Sequence, residues 1–138
     1  MHPGWKIAAL AVLGMFALGS LVAGAPYLES TLPGGLPFGN ALAAVGLCAI
    51  AACGVATARR GVMRHVAFVA LFASAAWLPV SIALAGNLTL VFSGARGDAW
   101  IAWSAGVAVL SIGALALAML QRLVACVWPR HTATSSRG

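Results

Sequence analysis

The chain reads as an all-α integral membrane protein: four transmembrane helices in a compact up-down bundle, with both ends on the cytoplasmic side. Three observations predict this. Hydrophobic residues make up 62% of the 138 and charged residues only 7%, against roughly 25% charged in a soluble domain. So little charge cannot cover a water-facing surface, and most of the surface must face lipid. Four long apolar runs are separated by short polar or turn-rich segments. The basic residues gather on one side of these runs.

The first span covers about 6–26, from Lys6 to the helix-breaking Pro26. A helix needs about 20 apolar residues to cross the hydrocarbon core. The segment also has features of a signal peptide, with Ala23-Gly24-Ala25 as a small-residue cleavage site. The apolar run is longer than a usual signal core, and Pro26 would be the first mature residue. It is therefore read as a retained span; cleavage would leave three.

The connector from Pro26 to Pro37 holds three prolines and Gly34-Gly35, which restricts its path. The second span covers about 38–58 and stops at Arg59-Arg60. The third covers about 65–86, with Pro79 inside it. A proline removes a backbone donor and crowds the preceding turn, so a bend is expected near Ala75 to Pro79, with Ser74 and Ser81 near the freed groups. The segment 87–98 is apolar in its first half. It can extend span three, lie in the interface or cover the outer end of the bundle, and the sequence does not choose. The fourth span covers about 99–121, and its helix can continue to 128. Together these form one transmembrane domain over 1–128, with a polar tail over 129–138 that reads as disordered.

Charge gives the orientation. Lys6, Arg59, Arg60, Arg64, Arg122, Arg130 and Arg137, seven of the eight basic residues, fall on one side. Arg96 falls on the other with both acids, Glu29 and Asp98. The positive-inside rule puts both ends in the cytoplasm, which an even number of spans also requires. Trp5 and Trp128 then fall at the inner interface, and Tyr27, Trp100 and Trp103 near the outer one. The net charge of +6 reads as topology signal and attraction to anionic headgroups. No basic stripe is long enough to track a nucleic acid.

Between lipid-embedded helices, small residues allow close backbone approach. Pairs four apart are Ser20 and Gly24, Gly54 and Ala58, Ala70 and Ser74, Ala102 and Gly106, and Ala114 and Ala118. Each would place two small side chains on one helix face.

Candidate chemistry is sparse. An ionisable group at membrane depth marks most carriers and membrane enzymes, and none lies mid-span. The histidines His2, His65 and His131 show no metal-site spacing and fall at helix ends or termini. Cys48 and Cys53 lie about 140° apart around one helix, and Cys126 stands alone. Serines 20, 74, 81, 104 and 111 have no His or Lys at matching depth to act as base. Arg96-Gly97-Asp98 and Asn87-Leu88-Thr89 match an adhesive tripeptide and a glycosylation acceptor, but such short matches arise by chance. Glu29 and Arg96 are candidates for an ion pair across the outer face.

These features lead to the expectation of a non-enzymatic accessory or assembly subunit of a membrane complex. It would have no cofactor or metal, and its partners would be the lipid bilayer, other membrane subunits or further copies of itself. The alternative is a small oligomeric transporter or channel lined by serines and the backbone at Pro79. A thiol-dependent membrane enzyme is a third. High Ala, Gly and Arg usage suggests a GC-rich bacterial genome and hence the inner membrane.

Overall fold

The computed structural model describes residues 4–127. They form four helices: α1 Gly4–Ala23, α2 Phe38–Thr57, α3 Val62–Ala85 and α4 Ala95–Val127. Each is long and apolar enough to cross a membrane, and the protein is integral and multi-pass. Trp128, the 129–138 tail, His2, His131, Arg130 and Arg137 lie outside the described residues.

The helix boundaries have local causes. α1 ends before Pro26, at Ala23, because Gly24 takes φ 60°. The amide of Ala25 donates to the Ser20 carbonyl and that of Gly24 to the Leu21 carbonyl. This is the paired bond of a Schellman cap, which glycine adopts without strain. Gly24 therefore terminates the helix, and it has open space around it. The connector begins with a 3-10 turn over Pro26–Glu29, followed by an isolated bridge between Thr31 and Pro37. Tyr27 reaches back to donate to the Ser20 hydroxyl and meets Phe38 edge-on at 6.1 Å.

The segment after α3 covers the end of the bundle that carries Glu29 and Asp98. Gly86 closes α3 at φ 71°, its amide donating to the Ile82 carbonyl. The Asn87 side chain then organises a turn. Its amide donates to the carbonyls of Ala85 at 3.0 Å and Val91 at 3.1 Å. Its oxygen accepts from Thr89 Oγ1 and the Val91 amide. Leu90 is buried, Phe92 stacks on Trp100 at 4.9 Å, and Leu88 and Thr89 lie against Gly34 and Gly35 of the connector between α1 and α2. α4 begins at Ala95, four residues before the expected start, so Arg96-Gly97-Asp98 lies in its first turn. It runs unbroken to Val127, about 50 Å against a core of about 30 Å.

Contacts fix the directions. Gly14 and Ala17 of α1 meet Gly46, Ala49 and Ile50 of α2, and Ile7 meets Cys53. Ala51 clusters with Ala70, and Ala58 with Ala67. Ser74 meets Ser111, and Trp77 meets Ser104. Residue numbers rise on one helix as they fall on the next, so successive helices alternate up and down. Lys6, Arg59, Arg60, Arg64 and Arg122 consequently lie at one end of the bundle, with Glu29, Arg96 and Asp98 at the other.

α2, α3 and α4 pack on one another, whereas α1 packs chiefly along α2. α2 is the most enclosed helix and α1 the least. The core is built of small side chains: Ala51, Ala70 and Ala114 in one cluster, Ala58, Ala67 and Ala118 in the next. With little hydrophobic drive between helices in lipid, such close backbone packing supplies the attraction.

Candidate functional site

Three arrangements stand out: a polar seam between α3 and α4, the crossing of α1 over α2, and a basic clamp at the end of α4.

The seam is a chain of hydrogen bonds. Trp100 Nε1 donates to Ser81 Oγ at 3.1 Å, and Ser81 Oγ donates to the Trp77 carbonyl at 2.7 Å. Trp77 Nε1 donates to Ser104 Oγ at 2.9 Å. Deeper in, Ser111 Oγ donates to the Val107 carbonyl at 2.7 Å. A hydroxyl has one hydrogen, so in the 2.8 Å Ser74–Ser111 contact Ser74 is the donor. Ser74, Ser81 and Ser111 are fully buried and Trp77 nearly so. Of the serines expected to line a solute path, Ser74 and Ser111 are thus bonded to each other, and Ser81 and Ser104 to the tryptophans. Trp103 Nε1 is buried without a partner among the described residues. Pro79 lies within continuous α3 on an exposed position. The two serines near it both serve the seam.

The α1–α2 crossing rests on glycine. A Cβ at Gly46 would stand 2.8 Å from Ala17 Cβ, and one at Gly14 would stand 3.2 Å from Ile50 Cγ1. Two grooves flank the crossing. One, of about 540 Å³, runs between α1 and α4 over α2. The other, of about 470 Å³, runs between α1 and α3 and reaches Pro79.

At the basic end, Arg122 reaches across to α2. Its Nε donates to the Thr57 carbonyl at 2.8 Å and its Nη2 to the Ala56 carbonyl at 3.3 Å. These belong to the last turn of α2, whose final carbonyls have no partner within the helix.

The packing candidates fall into two groups. Gly54 lies against the α4 backbone, with Leu115 N 3.5 Å from its would-be Cβ. Ala58, Ala70, Ser74, Ala114 and Ala118 are buried. Gly106 and Ala102 are exposed, with open space around Gly106. Glu29 ends the 3-10 turn, and the Arg96 guanidinium lies beside Gly86. No ion pair joins them among the described residues. His65 lies in the first turn of α3, with Nδ1 3.1 Å from the Gly61 carbonyl. Cys53 is buried with Sγ 3.8 Å from the Ile7 carbonyl, Cys48 is half-buried and Cys126 exposed. No group of three or more His, Cys, Asp or Glu side chains gathers as a metal set among the described residues.

Trp77, Gly14 and Gly46 had no signal in spacing-four pairs. Gly14–Ala17 and Gly46–Ala49 are small pairs three apart, and a search at that spacing would have found them. Compared with known protein families, curated proteins and solved structures, the chain matches none.

Proposed function

We propose that this small polytopic membrane protein is a non-enzymatic accessory or assembly subunit of a membrane complex, in a bacterial inner membrane with both ends cytoplasmic. The observation that carries this reading is the position of α1. It is held chiefly along α2 and presents Val12, Met15, Phe16 and Val22 outward. A helix docked on one neighbour leaves lateral faces free for another membrane helix. The seam counts against the transporter reading, because a path along Ser74 and Ser81 needs hydroxyls that are instead buried and bonded. The separation of Cys126, at the end of α4, from Cys48 and Cys53 in α2 counts against a shared thiol centre.

The test is purification of the full chain from its native membrane in mild detergent. Co-purification of a membrane protein in fixed proportion, lost on disrupting the outward α1 face with Val12→Asn and Phe16→Asn, is expected. A lone chain without any membrane partner, or solute flux in proteoliposomes, overturns the reading.

A further inference from the structure

The groove between α1 and α4 has a length, a lining and a charged end that together define an occupant. Its wall on α1 runs from Ile7 to Leu18 and on α4 from Ile112 to Leu123. Each stretch rises about 16 Å along its helix axis, half of the roughly 30 Å hydrocarbon core. The groove is therefore one leaflet deep. A partner's transmembrane helix would need the full depth. The lining is apolar, with Thr57, Cys53 and Arg122 as exceptions. Small residues at Ala11 and Gly14 keep it open.

Arg122 stands at the end of this groove that faces the headgroups. Its fork is anchored to Thr57 and Ala56 through Nε and one hydrogen of Nη2. A guanidinium carries five N–H donors, so three remain for an anion. Lys6 precedes Ile7 in α1, and Arg59 and Arg60 follow α2 at the same end. Both carboxylates, Glu29 and Asp98, lie at the other end. The second groove, beside α3, has no charged residue in its lining.

We infer that the α1–α4 groove is a binding site for one anionic phospholipid of the leaflet on the Arg122 side. An acyl chain lies along Leu10, Met15, Ile50 and Met119, and the phosphate accepts from Arg122. Arg122 is held in place by the end of α2 and so offers a directed fork, beyond the diffuse attraction that any basic loop exerts on anionic lipid. The inference does not depend on the subunit role.

The experiment uses the full chain in phosphatidylcholine nanodiscs carrying a minority of phosphatidylglycerol with a photoactivatable acyl chain. The readouts are lipids retained in native mass spectrometry and the residues crosslinked. One phosphatidylglycerol retained per chain, crosslinked to α1 and α4 within the groove, is expected. Arg122→Gln should cut its retention about tenfold, the worth of one charge-assisted bond. Ala11→Phe, which fills the groove and leaves the clamp intact, should abolish groove crosslinks while leaving the melting temperature near wild type. Arg59→Gln with Arg60→Gln should weaken retention less than Arg122→Gln. Equal retention of the two lipids overturns the site, as do crosslinks unchanged by Ala11→Phe or a preference governed by Arg59 and Arg60 alone. A groove filled by a second copy of the chain, seen as a dimer without lipid, also overturns it.

Discussion

A Cβ placed on Gly46 would stand 2.8 Å from the methyl carbon of Ala17, closer than two such carbons can approach. That contact is where α1 is held on α2, and α1 has little other support in the bundle. The attraction between the two helices comes from this backbone proximity, so the site has almost no tolerance for added volume.

Gly46→Ala should therefore destabilise the α1–α2 pair by about 1–3 kcal/mol, the usual cost of overpacking. Ala17→Gly in the same chain should recover most of the loss. Gly54→Ala is the control. Its new Cβ would meet Leu115 N at 3.5 Å, an ordinary contact, and alanine favours helix over glycine by about 1 kcal/mol. Thermal unfolding in detergent should rank Gly46→Ala well below wild type and Gly54→Ala at or above it. Equal effects would show that α1 is free to shift away from α2.

The α3–α4 seam makes a second set of stability differences. Ser104→Ala removes the acceptor of the Trp77 indole and leaves a buried N–H without a partner, at a cost of about 1 kcal/mol. Trp77→Phe with Ser104→Ala removes both partners and should show a coupling of about 0.6 kcal/mol, the average for such bonds between membrane helices. For Ser74 and Ser111 the direction of donation breaks the symmetry. Ser74→Ala leaves Ser111 still bonded to Val107 and should cost little. Ser111→Ala strands the Ser74 hydroxyl and should cost more. A double-mutant cycle in detergent measures both pairs, and an inverted order for Ser74 and Ser111 would reverse the donor assignment.

The spans were legible because composition and length alone force them: an uncharged run of about 20 residues in lipid has only the helix to satisfy its backbone. The four-residue pairs were legible in part. Gly54, Ala58, Ala70, Ser74, Ala114 and Ala118 reach the core, whereas Ala102 and Gly106 face outward. In a chain so rich in alanine and glycine, small residues occupy both faces of a helix, and only the neighbouring helix selects one. The path of 87–98 was not legible for a different reason. It depends on a single side chain, Asn87, whose four hydrogen bonds carry no signature in hydropathy.

Asn87 gives a local prediction. Asn87→Asp keeps the acceptor used by Thr89 and Val91 but loses both donations to the Ala85 and Val91 carbonyls. Asn87→Ala loses all four bonds. Proteolysis from the outer side should cut the segment 87–94 fastest in the alanine variant, slower in the aspartate variant and slowest in wild type. Each lost bond is worth about 1 kcal/mol at most at a site partly open to water, so the helices themselves should remain folded. Cleavage at equal rates in all three would mean that the Phe92–Trp100 stack and buried Leu90 hold the segment without Asn87.

Cys126 tests orientation without altering the helices. It is exposed near the end of α4, four residues beyond Arg122, whereas Cys53 is buried and Cys48 lies within α2. Arg122 clamps α4 to the last turn of α2, so Cys126 lies at the same end as Lys6, Arg59, Arg60 and Arg64. Five described basic residues at that end against Arg96 at the other should hold it in the cytoplasm. A membrane-impermeant maleimide should therefore label wild type in inverted membrane vesicles and spare it in right-side-out cells, and Cys126→Ser should remove the signal. Ser30→Cys, placed in the outer connector of that Cys126→Ser chain, should show the reverse. Labelling of Cys126 from outside would mean that the bundle sits with its basic end outward. The anionic lipid assigned to the Arg122 groove would then belong to the outer leaflet, because the groove and Cys126 share one end of the bundle.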